Sequence, residues 1–265
     1  AWILANIEGA AALGTRLAFG TVESWLVWNL TGGLHISDVS NASRTSLFAL
    51  MASAWDEGLC DLFGVPRAAL PEIVPSTDRF GQTKPDLFGA GIAITGLAGD
   101  QQASTIGHGC FADGQTKATQ GTGTLVLANM GNQPPKSAHR LLGTVQGDVG
   151  GVRTFALEGS VFVAGSLVKW LRDSIELLGD AAESESLARS VPDSGGVIVV
   201  PALSGLGAPY WLPDARGSIS GLSFATTRAH IVRAALESVA NVFHDLAKAF
   251  AAGGAGGEVL RLDGG

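Results

Sequence analysis

The chain reads Ile92-Ala93-Ile94-Thr95-Gly96-Leu97-Ala98-Gly99-Asp100-Gln101 where an apolar run meets a polar one. The run 92–97 is typical of a short strand buried within a mixed sheet. It leads through a glycine turn into a helix that we predict to begin at about Gln101. A strand followed directly by a helix predicts an α/β fold, because such units pack helices against a sheet.

Helices and strands alternate on both sides of this junction. We predict helices over 2–30, in two parts with the second opened by Thr21, and over 56–63, 160–178 and 231–250. We predict strands over 34–36, 116–120, 124–128, 154–157 and 197–203, and a last strand from Val259 that runs into a glycine turn at 264–265. Trp25 and Trp28 are expected in the core, because residues three apart share one face of a helix.

A change of texture divides the chain. Glycine and polar residues cluster over 107–114, between the helix that follows Asp100 and the next predicted strand. We therefore predict two α/β domains, 1–107 and 108–265, with a ligand bound in the cleft between them.

Composition excludes several classes of protein. The 265 residues are 46% hydrophobic and 15% charged, so the chain can bury a substantial core. It contains no run of eighteen apolar residues, and we therefore predict no transmembrane helix and no membrane partner. The net charge is −7 and the basic residues are scattered, so we predict no nucleic-acid partner.

Cysteine and histidine usage points to a cytoplasmic protein without a metal site of its own. Cys60 and Cys110 have no metal-ligand spacing, and we predict two reduced, buried thiols. The five histidines also lack ligand spacing, so no metal site built from protein side chains is predicted. Residues 1–6 lack the pattern of a signal peptide and resemble a helix already under way, from which we expect a truncated chain.

The segment Gly99-Asp100-Gln101-Gln102 is the first candidate for chemistry. Ligands of open α/β sheets gather at the carboxyl ends of strands, and Asp100 follows such an end. Asp100 would accept a proton from a substrate hydroxyl while Gln101 holds another hydroxyl. From the residues alone, an ordinary helix-capping aspartate is the more common explanation.

The turn Gly121-Thr122-Gly123, between two predicted strands, is the second candidate. Its glycines would let backbone amides approach phosphate oxygens, and the Thr122 hydroxyl would add a donor. No Gly-Lys-Ser/Thr follows, so the turn is not a Walker motif. A plain hairpin turn fits the same residues.

Two further features carry weaker signals. Gly205–Trp211, followed by Asp214–Gly217, places aromatic residues beside a glycine- and proline-rich loop, where they either bound a pocket or pack under the loop. Arg233 and Glu237 lie four residues apart on the final helix and predict a surface ion pair.

Longer segments resemble the FGGY family of carbohydrate kinases. Gly217-Ser218-Ile219-Ser220-Gly221-Leu222, seven further residues and then 230–237 fit the second signature of that family at every position. Ala1–Asn6 is similar to the tail of the first signature. Within the family, Ser40–Thr45 and Gly205–Trp211 resemble segments of the glycerol kinases. Further agreement lies at 157–165 and 170–173, so the resemblance runs the whole length of the chain.

This resemblance implies an α/β, actin-like (ribonuclease H-like) two-domain ATPase fold, incomplete in both domains. It implies transfer of the γ-phosphoryl group of ATP to glycerol, with Mg²⁺, giving glycerol 3-phosphate. Residues 1–107 would be the substrate side and 108–265 the nucleotide side. Asp100 matches the catalytic base of the family, and Gln101 matches its neighbour that contacts glycerol. The implied nucleotide-binding residues are Gly121, Thr122, Gly123, Gly165 and Lys169.

Departures from the family pattern leave alternatives open. Leu125 stands where an aromatic residue borders glycerol, and Lys169 stands where glutamine is usual. The metal-binding phosphate loop of the family would precede residue 1, so we expect the 265-residue chain alone to be inactive. We also expect it to be poorly soluble, because an incomplete sheet exposes unpaired strand edges. A kinase for another polyol or sugar and an inactive binding module are the alternatives. The oligomeric state stays open, a homo-oligomer included.

Overall fold

The chain folds into two compact units, each of which is described by itself. The structure is a computed structural model, and it describes residues 1–255, 257 and 259–264. Unit 1 comprises 1–109, 130–135 and 143–156, and unit 2 comprises 110–129, 136–142 and 157–265. The predicted ranges 1–107 and 108–265 stay a prediction, because the two units interleave in sequence.

Helices and strands alternate as an α/β fold requires. The helices are α1 (Trp2–Asn6), α2 (Val22–Thr31), α3 (Val39–Ala42), α4 (Glu57–Phe63), α5 (Pro85–Phe88), α6 (Asp100–Gly107), α7 (Gly165–Asp173), α8 (Glu183–Arg189) and α9 (Arg228–Ala252). The strands are β1 (Ile36–Asp38), β2 (Phe48–Ala49), β3 (Ala54–Trp55), β4 (Glu72–Val74), β5 (Thr77–Gln82), β6 (Ala93–Gly96), β7 (Thr116–Gln120), β8 (Thr124–Asn129), β9 (Leu142–Val149), β10 (Val152–Val161), β11 (Ile198–Val200), β12 (Ser218–Ser220) and β13 (Leu260–Gly264).

Side-chain caps set where α2 and α4 begin. The Thr21 side chain accepts a hydrogen bond from the Ser24 N–H at the start of α2, and Asp56 accepts one from the Leu59 N–H at the start of α4. Each cap satisfies a backbone donor that has no partner within its helix. The predicted helix opened by Thr21 and the predicted helix over 56–63 are therefore confirmed.

Unit 1 contains three two-stranded sheets and its own core. β1 pairs with β4 in parallel, while β2 with β3 and β5 with β6 pair antiparallel. Two segments that return late in the sequence contribute to the core, through Val145 on β9 and Phe155 on β10. The other buried members are Val39, Ala42, Leu47, Phe48, Trp55, Cys60 and Leu70.

Unit 2 is built on strands of a five-stranded sheet. The strand order is β13–β7–β8–β10–β9, and most of β9 and the first half of β10 belong to unit 1. β7 and β8 form the predicted antiparallel hairpin, with Gln120 opposite Thr124, and β13 runs parallel to β7. The core of this unit joins α7, α9 and β11, and it includes Leu167, Leu171, Val199, Val232 and Ala235.

The long helix and the cysteines agree with the sequence. α9 covers the predicted 231–250, and Leu246 and Phe250 on its apolar face are buried. Cys60 and Cys110 are free, buried thiols, and burial raises the pKa of each. A membrane-spanning helix, long and apolar enough to cross a bilayer, is absent from the described residues. The predicted glycine turn at 264–265 lies partly outside the described residues, because Gly265 is not among them.

The predicted burial of the strand over 92–97 was wrong. β6 covers Ala93–Gly96, pairs with β5 alone among the described strands, and leaves three of its four residues exposed. An apolar run reports the preference of its side chains for burial, but the number of neighbouring strands decides how much of the run is covered.

The helix predicted over 160–178 was also placed wrongly. β10 continues to Val161, and the Ser160 carbonyl accepts a hydrogen bond from the Ala208 N–H at 2.8 Å, which holds this residue in extended backbone. The helix begins only at Gly165, after the non-helical Ala164, and ends at Asp173. A continuous apolar segment cannot by itself mark where a strand ends and a helix begins.

Other predicted boundaries moved, and two tryptophans changed place. The strand predicted over 34–36 lies at Ile36–Asp38, the strand over 154–157 is the middle of β10, and the strand over 197–203 shortens to Ile198–Val200. Trp25 and Trp28 are 65% and 44% exposed, so the prediction that they lie in the core was wrong. Their spacing correctly put them on one helix, but α2 turns Val27 inward instead.

Candidate active site

Asp100 is the first residue of α6, and its side chain is exposed. Gly99 takes the capping position, so Asp100 is not the N-cap residue that its sequence context also allowed. The Gln101 amide Nε2 donates a hydrogen bond to Asp100 Oδ2 at 3.1 Å. A carboxylate exposed at the head of a helix can serve as a proton acceptor for a hydroxyl group.

A hydrogen bond from another segment holds the residue before Asp100. The Gly99 N–H donates to Ser40 Oγ at 2.8 Å, and Ser40 Oγ donates to Asp38 Oδ1 at 2.9 Å. Asp38 and Ser40 are fully buried. The strand β1 and the helix α3 therefore support the start of α6 through polar side chains.

Asp38 is in turn close to a second carboxyl group. Glu23 on α2 accepts hydrogen bonds from the Asp38 N–H at 3.1 Å and from Ser37 Oγ at 3.0 Å. Burial, and then the negative charge of Asp38, raise the pKa of Glu23 from its ordinary 4.5 to about 7. These hydrogen bonds act in the opposite direction and lower it.

Sequence reasoning missed Glu23, Asp38 and Ser40. A signal was available in Asp38-Val39-Ser40-Asn41, because an aspartate two and three residues before polar residues is typical of a side chain that caps a turn or a short helix. That pattern predicts a local cap, however, and not the contact with Gly99, which lies 59 residues away.

The turn Gly121–Gly123 is docked on the start of α7. The Thr122 carbonyl accepts hydrogen bonds from the N–H groups of Ala164 and Ser166, at 3.0 and 3.1 Å. The Gly121 carbonyl accepts from the Gly165 N–H at 2.9 Å. Because the carbonyl groups face the helix, α7 fixes the turn, and the exposed Thr122 side chain lies at its tip.

Two glycines of this region are required by chain packing. A Cβ at Gly123 would lie 2.4 Å from the Val161 carbonyl oxygen, and one at Gly165 would lie 2.6 Å from the Gly121 carbonyl oxygen. Both distances are shorter than any normal contact. A Cβ at Gly121 would meet no atom within 4 Å. Gly123 and Gly165 therefore let the turn and the helix approach one another.

The remaining predicted residues lie on the same two elements of unit 2. Leu125 is half-buried on β8, opposite Thr119, and Lys169 is exposed on α7. Lys169 lies four residues after Gly165 and therefore on the same face of α7. Asp100 and Gln101 belong to unit 1, so the structure groups the predicted residues into one set for each unit.

The aromatic loop packs against its own unit. Tyr210 donates a hydrogen bond to Asp245 Oδ2 on α9 at 2.5 Å, which raises the pKa of the tyrosine. Trp211 Nε1 donates to the Arg140 carbonyl at 2.7 Å, and its ring meets Phe162 edge to face at 6.1 Å. Of the two readings that the sequence left open, these contacts favour packing under the loop.

Two charged side chains of α9 form an ion pair. Arg233 and Glu237 form the predicted pair at 2.8 Å, and Arg233 also donates to the carbonyl groups of Ala188 and Val191. Within residues 1–255, 257 and 259–264, no three His, Cys, Asp or Glu side chains lie close enough together to hold a metal ion.

Comparison with known families matches both parts of the chain. Residues 1–107 match the N-terminal domain of the FGGY family of carbohydrate kinases, and residues 116–265 match its C-terminal domain. The chain is 51% identical to proteins named glycerol kinase from Acidovorax sp. (strain JS42) and Delftia acidovorans. Each alignment covers the whole chain and 55% of the relative. The chain thus spans about half the length of the curated relatives it matches.

Solved structures give the same picture. The crystal structure of Plasmodium falciparum glycerol kinase with ADP is 38% identical, with a TM-score of 0.86, over all of this chain and 54% of that one. A xylulose kinase from Rhodospirillum rubrum is 25% identical, with a TM-score of 0.78, over 96% of this chain and 52% of that one.

Proposed function

The chain belongs to the FGGY family of carbohydrate kinases, and from this premise we propose that the whole protein phosphorylates glycerol with ATP, giving glycerol 3-phosphate. The α/β, actin-like (ribonuclease H-like) fold that the sequence predicted is the fold of these kinases, and the prediction is confirmed. Because the chain spans about half the length of its relatives, the activity is a proposal about the whole protein.

One observation carries the choice of glycerol. Identity to proteins named glycerol kinase reaches 51% and extends over the whole chain, whereas the xylulose kinase is 25% identical. The placement of Asp100 agrees with this choice, because a carboxylate at the head of a helix, with an amide donor beside it, suits deprotonation of a small polyol.

The proposed reaction gives each side chain a limited task. Phosphoryl transfer leaves little covalent chemistry to the protein, so positioning and charge neutralisation dominate. Asp100 orients the terminal hydroxyl of glycerol and takes its proton, while Gln101 holds a second hydroxyl. Glycerol oxygen attacks the γ-phosphorus of ATP, the bond to the bridging oxygen breaks, and ADP leaves with that electron pair.

We assign the nucleotide to the other set of residues. The Gly123 amide, the Thr122 hydroxyl and the exposed faces of Gly165 and Lys169 would contact phosphate or ribose oxygens. The Gly121 N–H donates to the Gly123 carbonyl at 2.9 Å, so Gly121 would line the approach through its open Cα face. The ADP of the Plasmodium falciparum structure supports a nucleotide in this family. The family resemblance implies Mg²⁺ as the companion of the phosphates, and no step here depends on it.

Leu125 favours one alternative, a kinase for another polyol or sugar. Its aliphatic, half-buried side chain stands where the resemblance expects an aromatic residue against glycerol. A changed wall would relax the selection of substrate and leave phosphoryl transfer intact. We also propose that residues 1–107 form the substrate side and residues 108–265 the nucleotide side. The whole protein is proposed to be a cytoplasmic enzyme.

A substrate panel tests the proposal. ADP release by the purified whole protein is measured with glycerol, other small polyols and pentuloses, each with ATP and Mg²⁺. We expect kcat/KM for glycerol to exceed that for every other substrate by at least about tenfold. Equal turnover of several polyols would favour the alternative, and absence of turnover with all of them would refute a kinase.

A further inference from the structure

A fully buried carboxylate organises unit 1 close to the head of α6. Asp38 is 0% exposed, and its two oxygens accept five hydrogen bonds. Oδ1 accepts from Ser40 Oγ, the Asn41 N–H and Asn41 Nδ2, each at 2.9 Å, and Oδ2 accepts from the Ser40 N–H at 3.1 Å and Ser76 Oγ at 2.6 Å. Every one of these donors is neutral. A buried carboxylate is stable when its oxygens are saturated in this way.

The direction of each hydrogen bond is fixed by the chemistry of the groups. The Ser40 hydroxyl has one proton, and that proton is donated to Asp38 Oδ1. Its lone pairs are then left to accept the Gly99 N–H at 2.8 Å. Asp38 therefore orients Ser40 as an acceptor for Gly99.

Gly99 has no side chain with which to cap its own helix. An added Cβ would lie 2.5 Å from the Gln102 side-chain oxygen, so a serine or aspartate does not fit there without displacing Gln102. Support for the first turn of α6 comes instead from α3, 59 residues earlier in the chain.

We propose that Asp38 and Ser40 are positioning residues that fix the Ala98–Gly99 peptide at the entry to α6, and with it the Asp100 carboxylate that accepts the substrate proton. This inference rests on the proposed role of Asp100 as the base. Asp38 also caps α3, which is a purely local task. The contact with Gly99 adds a second task, because a misplacement of about 1 Å at a reacting group costs about 100-fold in rate.

Substitutions at Ser40 test the inference in the whole protein. Ser40→Ala removes the acceptor of the Gly99 N–H, Ser40→Cys keeps the volume and weakens both hydrogen bonds, and Ser40→Thr keeps the hydroxyl. Ser43→Ala is the control for local changes in α3, because it deletes a hydroxyl that bonds the Ser40 carbonyl, Thr144 Oγ1 and the Val145 N–H, and none of these contacts reaches α6.

We expect two readouts to move together. Amide hydrogen exchange of peptides spanning 96–102 becomes about tenfold faster in Ser40→Ala, since one hydrogen bond is lost. The kcat for glycerol falls about 10- to 100-fold, while the KM for ATP stays within about twofold. Ser40→Thr returns kcat to within about threefold of wild type, and Ser43→Ala leaves both readouts unchanged.

The outcomes separate this inference from the proposed function. Unchanged exchange at 96–102 in Ser40→Ala, or equal losses in Ser40→Ala and Ser43→Ala, would overturn the positioning role. If Ser40→Ala does not fold, Ser40→Cys decides, and wild-type kcat in that variant overturns the role. A wild-type protein without glycerol turnover refutes the proposed function, and the exchange experiment still tests the link between Ser40 and Gly99.

Discussion

At the residue scale, Asp100 places an exposed carboxylate at the start of a helix, with the Gln101 amide donor next to it. We predict that Asp100→Asn in the whole protein lowers kcat for glycerol by about two to four orders of magnitude, because the amide cannot accept the substrate proton. Nucleotide affinity should stay within about threefold of wild type. Steady-state kinetics and ADP titration measure the two effects.

Asp86→Asn is the control, since Asp86 is another exposed acid in the first turn of a helix. It should leave kcat unchanged. Wild-type turnover in Asp100→Asn would remove this residue from the proposed mechanism.

Glu23 makes stability depend on pH. Its folded-state pKa of about 7 lies above the ordinary 4.5, so between these values the unfolded chain ionises while the folded chain stays protonated. The contribution of Glu23 to the free energy of unfolding is therefore fully present below about pH 4.5. It is lost as the pH rises toward 7, and the loss is no more than about 3 kcal/mol. We predict that Glu23→Gln removes this loss. The measurement is the free energy of unfolding by urea at pH 5 and at pH 8.

The result is read from the difference in the free energy of unfolding between Glu23→Gln and wild type, because other groups titrate in both proteins. Glu23→Gln should gain stability relative to wild type between pH 5 and pH 8, whereas the exposed Glu57→Gln should not. A constant difference for Glu23→Gln across this range would mean that the carboxyl group titrates normally.

At this scale, the sequence identifies candidate site residues whose immediate neighbours indicate a strand end or a helix start. Asp100 follows an apolar run and a glycine, and this local context identifies it as a candidate site residue. Asp38 and Ser40 have no such local mark, because their relation to Gly99 arises from a tertiary contact. The burial that raises the pKa of Glu23 is likewise a property of the packed chain.

At the element scale, the turn between β7 and β8 distinguishes two reasons for a glycine. Gly123 is needed because the chain at Val161 is too close for a Cβ, whereas Gly121 has open space. We predict that Gly123→Ala destabilises the protein by about 1–3 kcal/mol, as overpacking does. Gly121→Ala should change the free energy of unfolding by less than about 0.5 kcal/mol. Thermal unfolding of the two variants checks this.

The affinity for ADP is the second property to measure in the Gly121→Ala variant. If phosphates approach the turn as proposed, Gly121→Ala weakens ADP binding without loss of stability, because its new methyl group occupies the approach. Normal affinity in a stable Gly121→Ala would place the phosphates elsewhere.

Elements with a strong periodic pattern were predicted well. The hairpin 116–128 and the helix α9 agree with the sequence, because alternation and a 3.6-residue period each have one structural meaning. The segments 92–97 and 160–178 are continuously or largely apolar, and such a pattern fixes neither the burial nor the type of an element. The ladder of β10, which extends to Val161, decided the second case.

At the scale of the whole molecule, each unit has a core of its own. We predict that Leu171→Ala, in unit 2, costs about 2–5 kcal/mol in that unit by leaving a cavity. Hydrogen exchange should then accelerate at α7, α9 and β11, while α3 and α4 of unit 1 keep their protection. Exchange followed by mass spectrometry across the whole protein measures both.

Leu47→Ala provides the reciprocal case, because Leu47 is buried in the core of unit 1. It should accelerate exchange at α3 and α4 and spare α9. Equal acceleration of both units by either variant would show that they unfold as one cooperative body.

The fold class was predictable from the alternation of elements, and the family from its signature segments. The interleaving of the two units was not, because Val145 and Phe155 join the core of unit 1 through contacts with residues about one hundred positions earlier. No local pattern in 143–156 distinguishes a strand that stays with its sequence neighbours from one that returns to an earlier part of the chain.

This interleaving limits how the gene can be divided. A cut after residue 107 leaves the first polypeptide without Val145 and Phe155, so Leu47, Phe48 and Trp55 would face solvent where those side chains belong. The second polypeptide would carry 143–156 with no core to receive it. Fragment complementation across this boundary must therefore reunite the three stretches of chain that form unit 1. A split reporter or a domain exchange should keep β9 and the first half of β10 in the same polypeptide as residues 1–107.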